Sequence, residues 1–351
     1  MLVLGIETSC DETAAAVVEN GNNALSNVVV SQIDIHREFG GVVPELASRK
    51  HIESISMVIS EALRKAGVNF CDIDAIAVTR GPGLIGSLLV GIGVAKGLSR
   101  ALKKPICGVN HLHGHLFAAW LENPRMEFPF LGMVVSGGHT SLFEVRAPLD
   151  IEIIGKTRDD AAGEAYDKVS KLLGLGYPGG AIIEQLASGV SPNGLHFPRA
   201  LMESGNLDFS FSGLKTAVLR HSEKVFGTRD KKNIPGSFHQ ITPVELSNND
   251  SDHIRQIAAA FQEAVIDTLV RKLFMAAEIR KASRVVVSGG VAANTALRSS
   301  IKSEGHKRGI EIILPAAPLC ADNAAMIAAR GYFLYTEGFV DSPDFDAKSR
   351  W

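Results

Sequence analysis

Apolar residues fill Leu2 to Ile6, give way at Glu7-Thr8-Ser9-Cys10-Asp11-Glu12-Thr13, and resume over Ala14 to Val18. Two apolar runs of strand length around a polar turn predict a β-hairpin. Between Pro44 and Ala66, Leu46, Ile52, Ile55, Val58, Ile59 and Leu63 recur at helical spacing, so a helix is expected there. Ala75 to Thr79 reads as a short buried strand, and Ser87 to Ala101 as an apolar, glycine-containing helix. After Pro129 the run Phe130 to Val135 predicts a strand, Ser136-Gly137-Gly138-His139-Thr140 a turn, and Ser141 to Val145 a second strand. Val285 to Val287 predicts a further strand that ends at Ser288-Gly289-Gly290, with a helix over Ala292 to Ile301. Strands therefore meet polar turns near residues 8, 136 and 288, and the first two junctions share a strand–turn–strand plan. This pattern predicts a duplicated design, two α/β lobes with a cleft between them. The polar stretch Ser222 to Asp252 is expected to be a long surface loop or partly disordered insertion, and Gly338 to Trp351 a similar tail, neither carrying chemistry.

Composition adds bounds to this outline. The chain has 351 residues, 46% hydrophobic and 21% charged, which suits two domains or one bilobal unit with a substantial core. No uncharged apolar run reaches the ~18 residues of a membrane span. Met1 to Glu7 lacks a basic segment and meets an acid at once, so it reads as a strand and not as a signal peptide. Cys10, Cys71, Cys107 and Cys320 have no paired spacing, which suits a reducing cytosol and gives no cysteine-based zinc signature. The expected location is the cytoplasm, without membrane contact. A formal net charge of −2 argues against nucleic-acid binding through the whole surface. Basic residues do gather at Arg199, Lys215, Arg220, Lys224, Arg229, Lys231 and Lys232, and again from Arg271 to Arg308. Such groups are solvated faces or local phosphate contacts.

The run His111-Leu112-His113-Gly114-His115 carries the sharpest chemical signal. On a helix, His111 and His115 lie one turn apart on one face, so two imidazoles can share a metal, while His113 points away. A polar helix start that happens to be rich in histidine has the same spacing. Zincin proteases need a glutamate directly after the first histidine as general base, and Leu112 stands there. Gly81-Pro82-Gly83-Leu84-Ile85-Gly86 matches the dinucleotide fingerprint, yet after Asp74 the next carboxylate is Glu122, too far on to bind a ribose. No lysine follows the last glycine, so it is not a P-loop either. Ser136-Gly137-Gly138 and Ser288-Gly289-Gly290 each follow a strand, where paired glycines let backbone N–H groups approach an anion. Together with the turn after Glu7 they point to a nucleotide cleft, although each alone reads as a plain turn. Asn294 is a candidate to reach ribose or base, or to satisfy backbone groups at a helix start. Asp159, Asp160, Glu164 and Asp167 crowd a helix start, with Asp159 or Asp160 as candidate cap. Asp322 opens another apolar helix, either as its cap or as a carboxylate completing a two-histidine metal site.

Taken jointly, these motifs resemble a family. Ile6 to Thr13, His111 to His115, Val135 to Thr140, Asp159 to Lys168, Tyr177-Pro178-Gly179-Gly180, Ser210 to Thr216, Ser288 to Asn294 and Cys320-Ala321-Asp322-Asn323 occur in the order found in the bacterial TsaD family. These are the tRNA N6-adenosine threonylcarbamoyltransferases, once described as O-sialoglycoprotein endopeptidases. The resemblance spans about residues 1–338. The stretch 222–252 looks longer than usual, the tail extends past the last helix, and Ala321 stands where threonine is common.

The resemblance implies an α/β, two-lobed actin/hexokinase/Hsp70-like (ASKHA) fold with a duplicated ribonuclease-H-like core. Residues 1–110 with 323–337 would form the N-terminal lobe and 111–322 the C-terminal lobe. It implies one divalent metal held by His111, His115 and Asp322, chiefly Fe2+, with Zn2+ or Mn2+ as alternatives. It places threonylcarbamoyl-AMP or ATP against Val134, Val135, Ser136, Gly137, Gly138, Asp167, Gly180, Glu184 and Asn294. The implied reaction moves threonylcarbamoyl from its adenylate to the N6 amine of adenosine 37, next to the anticodon, in tRNAs reading codons that begin with A. The implied partners are the tRNA anticodon loop, a TsaB-like paralogue, a TsaE-like ATPase and a TsaC-like enzyme that makes the adenylate. Asp11 and Glu12, at the cleft edge, are the candidates to accept the amine proton or order a water. The rival readings are an actin-like small-molecule kinase or ATPase, which needs no histidine pair, and a non-catalytic scaffold, which would lack it.

Overall fold

The expected N-terminal hairpin opens the chain, formed by β1 (Leu2–Glu7) and β2 (Glu12–Glu19), and extends into β3 (Asn23–Ser31). This computed structural model describes residues 1–226 and 248–350. Next come α1 (Ile33–Arg37), α2 (Pro44–Ala66), β4 (Ala75–Gly81), α3 (Ile85–Leu102), β5 (Ile106–Asn110) and α4 (His111–Phe117). The second half holds β6 (Phe130–Val135), β7 (Thr140–Ala147), β8 (Asp150–Lys156), α5 (Ala162–Leu173), α6 (Gly179–Ala187), α7 (Ser212–Phe226) and α8 (Asn248–Arg280). It closes with β9 (Arg284–Ser288), α9 (Thr295–Arg308), β10 (Glu311–Ile313), α10 (Ala317–Cys320) and α11 (Ala324–Thr336).

Two five-stranded sheets share one plan. The first runs β3-β2-β1-β4-β5 and the second β10-β9-β6-β7-β8. In each, an antiparallel three-stranded meander is followed by two strands parallel to its first strand. Read from the meander outward the two orders are identical, so the duplication extends from the hairpins to both whole sheets.

Strand periodicity sorts the core. Leu4 and Ile6 of β1 face α2 and α3 with Ile55, Val58 and Leu88, while Val3 faces the helix α11 with Ala324 and Ala328. Gly5 lets α11 lie directly on β1, since a Cβ there would sit 2.3 Å from the Ala324 carbonyl oxygen. In β6, Leu131, Met133 and Val135 point to the helices of the second lobe, while Phe130 and Val134 point to Leu116, Phe117 and Trp120. Helix α4 and its following turn thus sit between the sheets, packed on α11 from one side and on β6 and β9 from the other. By length and composition α3 alone among the described helices is apolar enough to cross a membrane. Here it packs on α2 and β4 through Leu88, Ile92 and Ala95.

Several expectations need correction. Ser222 to Phe226 ends α7, and Asn248 to Asp252 opens α8, so both edges of the expected loop are helical. Side-chain composition concealed this, because surface turns of a helix can be wholly polar, and Asn and Asp are favoured near helix N-termini. The rest of that stretch lies outside the described residues. The helix expected from Ala292 begins at Thr295, after a 3-10 turn over Gly290–Ala293. The tail lacks regular structure but is docked. Phe345 is buried against the first sheet's helices, and the Asp341 carboxylate accepts the Gly108 N–H at 2.7 Å and pairs with Arg80 at 3.2 Å. Arg80 and Lys96 also donate to the Asp346 and Phe345 carbonyls, and such scattered contacts do not stand out in composition. Neither Asp159 nor Asp160 caps α5. Asp159 accepts the N–H groups of Phe211 and Ser212 and the hydroxyls of Ser210 and Ser212, and so ties down the start of α7. Asp160 pairs with Lys168.

Candidate metal centre and facing cleft

Strand β5 delivers Asn110 to the cleft, where its side chain caps α4 by accepting the Leu112 and His113 N–H groups. Cap geometry fixes the first turn of α4, and the four-residue spacing then stacks His111 and His115, whose ring centroids are 4.7 Å apart, edge to face. Asp322, 207 residues beyond His115, meets them from the α10–α11 junction. Its Oδ1 lies 3.1 Å from His115 Nε2 and 3.5 Å from His111 Nε2. The capping role open to Asp322 belongs instead to Asn323, which accepts the Met326 N–H at 3.0 Å. One ligand atom from each of His111, His115 and Asp322 lies within 4.8 Å of the others.

Behind His111 stands a carboxylate whose role the sequence did not reveal. Glu7, at the end of β1, places Oε2 3.1 Å from His111 Nδ1 and accepts the Thr79 hydroxyl at 2.6 Å. Its other oxygen accepts the Ser9 N–H, and Ser9 Oγ is 3.2 Å from the same His111 nitrogen. The sequence shows Glu7 only as the polar end of an apolar strand. Its partnership with His111 depends on the parallel pairing of β1, β4 and β5, which is a long-range property.

Glu7, His111 and His115 are buried here, and Asp322 is partly buried at the cleft side. Burial alone would raise the Asp322 and Glu7 carboxyls, but His111 outweighs it and holds both below their ordinary range. Burial opposes charge on His111 too, yet Asp322 and Glu7 hold its pKa well above the usual value. His115 is shifted down by burial, and its Nδ1 is buried without a hydrogen-bond partner among the described residues. A buried site with excess negative charge and converging nitrogen and oxygen donors fits a divalent cation. The carboxylate behind His111 is the outer-shell arrangement that fixes tautomer and ring orientation in histidine metal sites. His113 takes no part. It packs edge-on against Phe143, and burial lowers its pKa to about 3, with Arg330 adding to the shift.

The β6–β7 turn faces the same cleft. Ser136 donates its N–H to the His139 carbonyl and accepts the His139 N–H on Oγ, so the expected anion-holding role of the Ser136 N–H is taken within the turn. Gly137 and Gly138 make no such bond among the described residues, and a Cβ on either would meet nothing within 4 Å. Gly180 and Gly290 open onto free space in the same way. Val134 and Val135 are wholly buried and can contribute only through their backbone. His139, overlooked in the sequence, lies in the field of His111, His115 and Asp322, and burial lowers its pKa to about 4. Asp167 accepts the Gly179 N–H at 2.7 Å, and burial lifts its carboxyl to about 6, with the Asp11 charge across the cleft adding to the shift.

Glu184 and Asn294 are already engaged. Glu184 accepts the N–H of Thr295 at 2.7 Å and its hydroxyl at 2.5 Å. Asn294 caps α9 by accepting the Leu297 N–H at 2.9 Å and donates to Gln262 at 2.9 Å. Glu184 borders a cavity of about 670 Å³ whose lining also includes Gln262, Thr295 and Ser299. On the opposite wall, Asp11 is buried at the hairpin turn. Burial raises the Glu12 carboxyl to about 10, assisted by the charges of Asp11 and Asp322.

Residues 23–329 match the TsaD family, described as tRNA N6-adenosine threonylcarbamoyltransferase. The proteins of that name from Clostridium beijerinckii and Geobacter metallireducens are 49% and 50% identical over 347 and 351 residues. Those alignments cover 99% and 100% of this chain and 96% and 97% of the relatives. Among solved structures, full-length HypF in its phosphate- and nucleotide-bound form superposes with a TM-score of 0.60 at 12% identity, over 95% of this chain and 55% of HypF. Component A of the Acidaminococcus fermentans (R)-2-hydroxyglutaryl-CoA dehydratase gives 0.53 at 16% identity, over 95% and 98% of the two chains. These likenesses show the two-lobed ASKHA architecture. The chain belongs to the TsaD family, the tRNA N6-adenosine threonylcarbamoyltransferases.

Proposed function

We propose that this chain transfers threonylcarbamoyl from threonylcarbamoyl-AMP to the N6 amine of the adenosine next to the anticodon, in tRNAs reading codons that begin with A. The observation that carries this reading is the buried His111–His115–Asp322 cluster set beside the glycine-lined β6–β7 turn. We assign the metal to those three residues and favour Fe2+, because two histidines with one carboxylate and open positions suit that ion, with Zn2+ or Mn2+ as the alternatives. When bound, the ion supplies Lewis acidity toward the carbamoyl carbonyl and charge neutralisation for the leaving phosphate.

The chain's own residues supply the rest. Glu7 keeps His111 Nε2 directed at Asp322. The Gly137 and Gly138 N–H groups receive the anionic oxygens of the adenylate, with Asp167, Gly180, Glu184 and Asn294 bordering the nucleoside. The acceptor amine is a poor nucleophile because its lone pair is shared with the ring. It loses a proton as the carbamoyl C–N bond forms and AMP departs. Burial favours the neutral acid at Glu12, and we assign the proton acceptor to its neighbour Asp11. The acceptor base lies in a single-stranded loop, so exposing it costs little.

The near-neutral chain fits an enzyme that holds tRNA together with partners, for which we propose a TsaB-like paralogue and a TsaE-like ATPase, with a TsaC-like enzyme supplying the adenylate. Four free cysteines agree with a cytoplasmic setting. We place residues 323–337 with 1–110 in the N-terminal lobe, because α11 packs on β1 and β4.

A methyl group at Gly138 projects into the cleft and not into the protein. Gly138→Ala is therefore expected to weaken ATP or adenylate binding about tenfold, equivalent to about 1.4 kcal/mol. Fold stability should stay within about 0.5 kcal/mol. Calorimetric titration beside thermal melting checks this, and unchanged affinity would remove the turn from the nucleotide site. The function itself is tested by incubating the chain with its partners, tRNA, ATP, threonine and bicarbonate, then digesting the tRNA and chromatographing the nucleosides. Threonylcarbamoyladenosine is the expected product. Its absence, in a reconstitution that works with the Clostridium beijerinckii relative, would overturn the assignment.

A further inference from the structure

We propose that His51 is a positioning residue for the Asp11–Glu12 turn, locked in one tautomer by a buried relay through Gln32 and His36. The inference rests on the reading that Asp11 and Glu12 face the reacting amine.

His51 lies on α2 and is fully buried under the β1–β2 turn. Its Nε2 is 2.9 Å from the Cys10 carbonyl, and its Nδ1 is 2.8 Å from Thr13 Oγ1 and 3.4 Å from Gln32 Nε2. The direction of every bond in the relay follows from the backbone groups it meets, at Val43, Ala47 and Cys10. The Val43 N–H can only donate, so His36 Nδ1, 3.3 Å away, must accept. His36 Nε2 then carries the proton and donates to Gln32 Oε1 at 3.2 Å. The Ala47 carbonyl can only accept, which puts the Gln32 amide nitrogen on its side at 3.4 Å. That nitrogen also donates to His51 Nδ1, so His51 carries its proton on Nε2 and gives it to Cys10. Both constraints, from Val43 and from Ala47, assign the same tautomers.

The relay grips the turn at successive points. His51 holds the Cys10 carbonyl, the Gln32 N–H donates to the Asp11 carbonyl at 3.0 Å, and Ser31 Oγ donates to Glu12 Oε1 at 3.2 Å. Burial also keeps His51 below its ordinary pKa, in keeping with a neutral ring. None of these groups reaches His111, His115 or Asp322, so His51 acts on the acidic wall of the cleft and not on the metal cluster. Small displacements of reacting groups cost as much as about 100-fold in rate, which sets the scale of the effect.

The test uses the full chain with its partners and three variants. His51→Gln retains an amide N–H able to reach the Cys10 carbonyl. His51→Asn keeps an acceptor near Nδ1 but is too short for Cys10, and His51→Leu keeps neither. The expected result is a kcat lowered about 10- to 100-fold in Asn and Leu, with KM for tRNA and metal content unchanged and most activity retained in Gln. Equal loss in Gln and Asn, no loss in either, or a loss that follows KM or metal content would overturn the proposal. The Gln–Asn contrast decides the matter even where Leu fails to fold. A second readout needs no activity: 15N-histidine NMR of the wild type should show His51 and His36 as neutral Nε2–H tautomers. An Nδ1–H tautomer at His51 would refute the relay while leaving the proposed reaction untouched. Conversely, a wild type that makes no product beside correct tautomers would refute the reaction and the positioning role together, leaving only the relay.

Discussion

His115→Ala is expected to empty the metal centre and lower threonylcarbamoyladenosine formation by about 1,000-fold. The imidazole is fully buried, and its Nε2 is the nearer of the two histidine nitrogens to Asp322. Its loss leaves the Glu7 and Asp322 carboxylates facing one imidazole, with a converging donor gone. Metal assistance supplies several kcal/mol of transition-state stabilisation, and each 1.4 kcal/mol is about tenfold, so a loss of this order follows. Glu7→Gln should be milder, weakening metal binding about 10- to 100-fold, as expected for a group behind a ligand. His113→Ala is the control within the same motif, because its ring packs on Phe143 and not on the cluster. Elemental analysis of the purified variants, run beside nucleoside chromatography, reads both effects. Full metal content in His115→Ala, or product made by metal-free protein, would remove the metal from the mechanism.

The second large effect concerns the acidic pair. Asp11→Asn should lower kcat about 100- to 10,000-fold while leaving metal content and nucleotide affinity intact, since removing a general base typically costs that much. Glu12→Gln should cost far less, because an amide replaces a carboxyl that already holds its proton. The pair also gives a signed pH prediction. The folded-state pKa of Glu12 lies above its ordinary value of 4.5, at about 10. Its contribution to stability is therefore complete below about pH 4.5 and is lost as pH rises toward 10. Glu12→Gln should accordingly raise the Tm relative to wild type by more at pH 9 than at pH 5. Equal shifts at the two pH values would show that Glu12 ionises normally in the fold.

The legible and illegible parts of this chain differ by the range of the interactions involved. The apolar runs of β1 and β6, the helical spacing from Pro44 to Ala66 and the His111–His115 pair are local patterns, and each predicts its element directly. Asp322 was ambiguous on local grounds, since caps and ligands use the same residue type. The ambiguity disappears only because Asn323 takes the cap. Glu7 was illegible as a partner of His111 because nothing nearby marks it, and three parallel strands must align before the two meet. Glu184 and Asn294 show the opposite failing. Their side chains suit a nucleoside, yet in the fold they also bridge α6 to α9 and α9 to α8, a structural use that no motif announces. The docked tail and the polar helix ends are illegible because a single Phe345 or a few Asn and Asp residues give no period to count.

The repeated sheet plan has a consequence for how substrates sit. Equivalent hairpin turns from the two halves both border the metal cluster, but they have diverged in opposite senses. The β1–β2 turn presents Asp11 and Glu12, and the β6–β7 turn presents bare N–H groups at Gly137 and Gly138. Two copies of one scaffold thus make a polarised slot, acceptor-rich on one side and donor-rich on the other. A pair of reactants with an anionic end and an amine end has a single low-energy orientation in such a slot, so directionality is set before any group moves.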